Sequence, residues 1–319
     1  MERSMKKNII FTMSTAIICM ILLVLKNQYS PLFLSHSTYG MPSLIKTGSV
    51  DNLYLGSSMF RQGLDIRILN DNLSSSQYIL SYNGNQPAAE FYELKYLLDH
   101  DVNIQNIYID MYVYSAFESP KISDEKLFME MDIAGKYNLW SLLKDASTSS
   151  NKLMLFWQMW ISSNNELLLT WPISAPIINH QFHSGGTLTQ NSGSSAQTLN
   201  NTAVPSISST INSIQKDYIC ALIQLARENN ITVTFIETPK YQNVSHSTSY
   251  LQAMHTYTEL LDQETIPYIL SQSTYDALAV SSPAYVYNFD TGNPDYYIDN
   301  MHLSSTGRRE FSKLLTSYL

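Results

Sequence analysis

Hydrophobic positions along this chain form one long block at the start and a series of short runs after it. The block, Asn8–Leu25, is eighteen residues without a charge, preceded by Arg3, Lys6 and Lys7 and closed by Lys26. As a helix rising about 1.5 Å per residue it spans roughly 27 Å, enough for a hydrocarbon core. Residues 1–27 therefore read as a cytoplasmic tip and a transmembrane signal anchor. Basic residues on the N-terminal side predict a cytoplasmic N-terminus, a plasma membrane crossed once and an extracytoplasmic remainder. A cleaved signal peptide is the competing reading. The residues after the block, Lys26-Asn-Gln-Tyr-Ser30-Pro31, hold no small-x-small cleavage site, which favours the uncleaved anchor. Residues 28–50, punctuated by Pro31, Gly40, Pro42 and Gly48, read as an extended juxtamembrane stalk.

The short runs then alternate with helical patterns. Asn52–Gly56, Tyr78–Tyr82, Asn106–Met111, Ile231–Ile236 and Ile266–Leu270 predict five buried strands. Between them, Glu90–His100 carries Phe91, Leu94, Leu97 and Leu98 at helical spacing, and Ser208–Asn229 and Leu251–Leu261 read as amphipathic helices. Ser304 is placed to cap a last helix bearing Phe311, Leu314 and Leu315. Strands alternating with helices predict an α/β fold with a parallel sheet of about five strands over residues 51–319.

Residues 115–205 interrupt this rhythm as an insertion. Its first part is apolar and helical, with Leu139, Trp140, Leu142 and Leu143 and then Leu153-Met-Leu-Phe-Trp157-Gln-Met-Trp160-Ile161. Packing on the main domain is the favoured reading, and a membrane-leaning or docking face the alternative. Ser184–Asn201, rich in Ser, Gly, Thr and Asn, reads as a long loop. A lid over a cleft is the working expectation for the insertion.

Composition and charge narrow the partners. With 44% hydrophobic and 14% charged residues the chain is globular rather than disordered. Beyond residue 27 it holds 15 basic and 26 acidic residues, a net charge of −11 without a Lys/Arg cluster, so nucleic acid is excluded as an electrostatic partner. Twenty-two tyrosines suit a carbohydrate-facing cleft, yet a Tyr-rich core accounts for them more simply. Cys19 falls in the anchor and Cys220 in a helix, so no disulfide is expected. The seven histidines are scattered and there is no CxxC, which predicts no metal and no cofactor.

Two short segments carry candidate chemistry. Asn52-Leu-Tyr-Leu-Gly56-Ser57-Ser58 runs from a strand into a tight turn, and Asp299-Asn-Met-His302 precedes the last helix. In an open parallel sheet ligands sit outside the carboxyl ends of the strands, where Ser57 and Ser58 fall. A serine there becomes a nucleophile when an imidazole accepts its proton, and a carboxylate on the other ring nitrogen fixes the tautomer. Ser58, His302 and Asp299 fit those roles although Ser58 and His302 lie 244 residues apart, with Asp295 as reserve acid. Glu237, at a strand end, is a candidate substrate contact or a structural residue, and His180 and His183 are minor candidates for binding.

On these residues the chain resembles the SGNH (GDSL-like) hydrolase superfamily. Gly56-Ser57-Ser58 resembles the membrane-anchored branch that includes teichoic acid D-alanine-transfer and surface-polysaccharide acyl-transfer proteins. So do Thr234-Phe-Ile-Glu-Thr-Pro239-Lys-Tyr241 and Asn288-Phe-Asp290 with Tyr296-Tyr-Ile-Asp299-Asn-Met-His302-Leu-Ser304. The resemblance covers roughly residues 50–115 and 205–319. It implies a flavodoxin-like three-layer α/β/α sandwich and a serine-dependent O-acyl esterase or acyltransferase acting on a surface polysaccharide or teichoic acid. It also implies a membrane-bound O-acyltransferase partner. The oxyanion donors it implies are the N–H of Ser58 and of Gly84. The usual Gly-x-Asn-Asp after the third strand is absent from Ile109-Asp-Met-Tyr-Val113, and Asn85 is the expected replacement donor. A simple strand-to-helix turn, with Pro87 starting the helix, accounts for Asn83–Gln86 nearly as well. The contrasting expectation, drawn from that missing Asn and from Ser57 in place of Asp, is a non-catalytic envelope scaffold that binds glycan or a membrane partner.

Overall fold

A computed structural model describes residues 2–34, 40–124, 126–144, 186, 194–208, 210–278 and 285–319. Its centre is a sheet of six parallel strands: β1 Ser49–Gly56, β2 Gln77–Ser81, β3 Asn103–Asp110, β4 Thr232–Ile236, β5 Tyr268–Ser271 and β6 Tyr285–Tyr287. They lie in the order β2-β1-β3-β4-β5-β6. The five predicted strands are present within a few residues. The sixth, three residues long, is too short to show an alternation in sequence.

Side-chain alternation sorts the strands onto two cores. Leu53, Leu55, Leu80, Ile107 and Ile109 face one way and pack with Leu94, Leu97, Ile219, Ile223, Tyr257 and Leu261. These come from the helices Pro87–Asp99, Ser213–Glu228 and Thr248–Gln263. Tyr54, Ile79, Tyr108, Ile236 and Ile269 face the other way, against Phe60, Ile66, Leu69, Phe311 and Leu315. Their partners come from helices Ser58–Gly63, Ile66–Asn72 and Ser305–Leu315. A sheet buried on both faces needs apolar residues at nearly every position, which is why its strands read as continuous runs. Three helices return to the sheet through the same turn. Asp101, Asn230 and Thr265 adopt φ near +58°, and Val102, Ile231 and Ile266 donate their N–H groups five residues back, to Leu97, Ala226 and Leu261.

The segment after the apolar N-terminal block departs from the expected stalk. One helix, Glu2–Leu34, continues through Pro31, and a second, Met41–Thr47, follows. Pro42 sits in the first turn of that second helix and Gly48 closes it at φ +79°, so residues read as stalk punctuation are its start and stop signals. Packing explains the continuation. Asn27 and Ser30 are buried, and the Lys136 ammonium donates to Asn27 Oδ1 at 2.8 Å and Ser30 Oγ at 3.4 Å. Of the insertion, helices Val113–Ala116, Lys126–Met129, Ile133–Lys144 and Ala196–Asn201 are described. Leu139 and Leu143 are buried in the core shared with the sheet, as the packing reading expects. The stretch Leu153–Ile161, His180 and His183 lie outside the described residues.

Glu130 fastens the second helix to the domain. Its Oε2 accepts the Met41 N–H at 2.7 Å and the Tyr82 hydroxyl at 2.6 Å. Burial raises its carboxyl from 4.5 to about 7, opposed by those two bonds, while Asp124 adds to the rise and Lys126 opposes it. The folded chain therefore holds this proton through a window in which the unfolded chain releases it, and stability falls as pH rises from about 4.5 to 7. Glu130→Gln keeps an acceptor oxygen and removes the charge. It is expected to gain roughly 3 kcal/mol relative to wild type between pH 5 and pH 8. Denaturant unfolding at both pH values measures this; an equal difference at the two pH values rules it out.

Candidate active site

The order β2-β1-β3 places the topological switch between β1 and β3, and ligands of open parallel sheets bind outside the carboxyl ends of the strands at such a point. Gly56 ends β1 and Asp110 ends β3, with Leu55 paired to Ile109. After Gly56 the chain turns at once into helix Ser58–Gly63. Ser57 is its N-cap, with its Oγ accepting the Met59 N–H at 3.1 Å. Ser58 is thus the first residue of a helix at the strand end, where the sequence placed a nucleophile.

The structure brings the three predicted triad residues together. Ser58 Oγ lies 2.9 Å from His302 Nε2, and His302 Nδ1 lies 2.8 Å from Asp299 Oδ2 and 3.0 Å from Oδ1. A carboxylate on Nδ1 selects the tautomer with the proton there and leaves Nε2 free to accept from Ser58. Burial alone would raise the Asp299 carboxyl. The hydrogen bond and charge of His302, with the Met301 and His302 N–H groups, hold it below the ordinary carboxylate range. The carboxylate is therefore ionised at neutral pH. Asp295, the reserve acid, is exposed, and its backbone oxygen accepts the Ser304 hydroxyl at 2.6 Å.

The loop bearing Asp299 and His302 is braced on several sides. The Ile298 N–H donates to His302 O at 3.0 Å, and Tyr297 and Leu303 form an antiparallel bridge. Ser304 caps helix Ser305–Leu315 through the Gly307 N–H. A Cβ on Gly307 would stand 2.2 Å from Tyr296 O, so only glycine lets the helix come this close to the loop. Tyr241 N–H bonds Asn300 O at 3.0 Å. Part of the expected loop Ser184–Asn201 is structured instead. Ser195 caps helix Ala196–Asn201, and Ser194 bonds Tyr297 O through its N–H at 2.8 Å and Ile298 O through its hydroxyl. The described end of that segment is fastened to the acid–base loop.

The turn that bears Gly84 and Asn85 is tied to helix Ser58–Gly63. Arg61, one turn after Ser58, is buried and reaches the turn after β2, bonding Ser81 O and, at 3.2 Å, Asn83 Oδ1. Gly84 follows at φ +59°, and a Cβ there would meet Ser123 Cβ at 3.0 Å. Both facts favour glycine at this position. Asn85 is committed elsewhere: its side-chain amide donates to Glu93 Oε1 and Oε2 at 3.0 and 3.2 Å inside the core. That carboxyl belongs to helix Pro87–Asp99, eight residues further along the chain.

Glu237 is buried. Its carboxylate accepts the Tyr250 hydroxyl at 2.8 Å, the Thr274 hydroxyl at 2.7 Å and the Ser271 N–H at 2.8 Å, a structural set rather than a substrate contact. Arg61, Asp110 and Lys240 went unnoticed in the sequence, although a charged residue closing the apolar run Ile107-Tyr-Ile109 was a usable signal. Among the described residues no group of three or more His, Cys, Asp and Glu side chains converges as a metal site. No protein-family model matches this chain, and no curated protein matches it in sequence.

Proposed function

We propose that this chain is a serine-dependent O-acyl esterase or acyltransferase. The observation that carries the reading is the unbroken line Ser58 Oγ, His302, Asp299, with contacts of 2.9 and 2.8 Å, at the switch point of a parallel sheet. Ser58 attacks an ester carbonyl while its proton passes to His302 Nε2. Asp299 stabilises the imidazolium, and the Ser58 and Gly84 N–H groups hold the developing oxyanion. His302 then returns the proton to the departing alcohol. The acyl-enzyme passes its group to water or to a sugar hydroxyl, whose proton His302 takes in turn.

The substrate class follows from location. The helix Met5–Leu32 is long and apolar enough to cross a membrane, and its most apolar eighteen-residue stretch is not buried by the rest of the described residues. With Arg3 before it and Lys6 and Lys7 in its first turn, the reading places the domain outside the cytoplasm, beside a surface polysaccharide or teichoic acid. A membrane-bound O-acyltransferase is the proposed acyl donor for the transferase form. The SGNH-like, flavodoxin-like sandwich belongs to the same proposal, supported by the strand order and by cores on both sheet faces. One observation favours the scaffold alternative: the Asn85 amide is taken by Glu93, leaving two backbone donors for the oxyanion.

Intact mass of the full chain in detergent, after exposure to a fluorophosphonate, tests the reading. A single adduct is expected on wild type and none on Ser58→Ala. A folded wild type that takes no adduct would turn the assignment to the scaffold.

A further inference from the structure

The nucleophile turn is gripped from β3. A Cβ on Gly56 would lie 2.5 Å from Asp110 Cβ, so glycine at the end of β1 is what lets Asp110 come this near. The fully buried Ser57 hydroxyl donates to Asp110 Oδ2 at 2.5 Å and accepts the Met59 N–H at 3.1 Å. Thr238 Oγ1 stands 3.5 Å from the other Asp110 oxygen. Behind it lies Lys240, buried to 1% exposure, which donates to Thr238 O at 2.9 Å and sits 5.3 Å from the Tyr250 ring centre. Burial lowers the Lys240 ammonium and raises the Asp110 carboxyl, each opposed by the other's charge, and Glu237 also supports Lys240.

We propose that Asp110 and Lys240 are positioning residues for Ser58, acting through the hydroxyl of Ser57. The proposal rests on the acyl-transfer reading above. An ionised carboxylate can only accept, so it makes Ser57 the donor and leaves a Ser57 lone pair for the Met59 N–H. That fixes the backbone from Ser57 to Met59 and hence the direction of Ser58 Oγ towards His302. A neutral Asp110 can donate to Ser57 as well as accept from it, so the carboxylate no longer dictates where the Ser57 hydrogen points. Lys240, anchored on Thr238 O, is the buried cation whose charge favours the carboxylate form against the burial that raises Asp110. Its segment also touches the other half of the site: the Tyr297 hydroxyl donates to Lys240 O at 3.2 Å, and the Tyr241 N–H to Asn300 O at 3.0 Å. One buried pair thus sits between the nucleophile turn and the loop that carries its base.

The test compares wild type with Ser57→Ala, Ser57→Thr, Asp110→Leu and the double variant Asp110→Leu/Lys240→Met, all as full chains in detergent. Asp110→Leu leaves the buried Lys240 with Glu237 but without the second carboxylate that supports its charge, and is expected to lower the melting temperature. The double variant removes both charges and is expected to recover it, since a buried ion pair is often replaceable by apolar residues without loss. Losing the cap should speed exchange of the Met59 amide about tenfold in Ser57→Ala and in the double variant. A misdirected nucleophile should lower the limiting rate of fluorophosphonate addition by about 10²-fold, with half-saturation unchanged. Ser57→Thr restores the hydroxyl and should restore the rate. A double variant that melts with wild type and also reacts at its rate would overturn the proposal, because a purely structural pair predicts recovery of both. Should wild type take no adduct, the acyl-transfer reading fails by itself, and the Met59 amide decides alone. Faster exchange in Ser57→Ala and the double variant upholds the clamp; unchanged exchange overturns it.

Discussion

His302→Ala is expected to slow fluorophosphonate addition to Ser58 by about 10³-fold or more, the largest change in reactivity that one substitution outside the nucleophile should produce. A serine hydroxyl is a weak nucleophile at neutral pH and gains its reactivity only when a base takes the proton during attack. Among the described residues, the hydrogen-bond partner of Ser58 Oγ is His302 Nε2 at 2.9 Å. The variant should fold normally, because the backbone N–H of residue 302 still bonds Asp299 Oδ1 at 2.8 Å and the loop keeps its antiparallel bridge. Asp299→Asn is expected to fall by a smaller but related amount. An amide facing Nδ1 can favour the tautomer whose proton points at Ser58, which turns the base into a donor. Adduct formation over time, read by intact mass for the three proteins, checks both. A rate for His302→Ala within tenfold of wild type would mean that Ser58 is not activated by this imidazole.

Much of this site was legible because its parts are local in sequence. Gly56-Ser57-Ser58 follows an apolar run, and Asp299 and His302 lie three apart beside a capped helix. Both segments fall where strand and helix boundaries are sharpest. The parallel sheet was legible for the same reason: its first five strands carry short apolar runs, near-continuous in Asn106–Met111 and alternating with Thr in Ile231–Ile236, between helical patterns. What stayed hidden is long-range. Ser57 and Asp110 are 53 residues apart. The helix through Asn27 and Ser30 was read as a stalk because a buried lysine more than a hundred residues away holds it. In each case the partner that decides the conformation comes from an element whose position the sequence does not state.

The last helix links stability to the site, and Phe311→Ala should show it. Phe311 is fully buried, with the Tyr287 ring 5.2 Å away and the Phe289 ring 6.0 Å away in an edge-on arrangement. It joins the one helix that directly follows His302 to β6, the last strand of the sheet. Truncation removes a large apolar side chain and leaves a cavity that its two aromatic neighbours are too rigid to fill. The expected loss is about 3–5 kcal/mol, or on the order of 10 °C in melting temperature for a domain of this size. The effect should reach beyond stability. Gly307 N–H is held by Ser304, and Ser304 N–H by Tyr296 O at 2.8 Å, so a loosened helix loosens the loop that aims His302. Fluorophosphonate addition should therefore slow in Phe311→Ala well below its melting temperature. Phe60→Ala offers the comparison, since Phe60 is buried in the same core but on the nucleophile's own helix. If Phe311→Ala loses less than about 1 kcal/mol, the C-terminal helix is held by something other than this aromatic cluster. If it loses the full amount yet reacts at the wild-type rate, the brace through Ser304 and Tyr296 carries the loop without help from the helix.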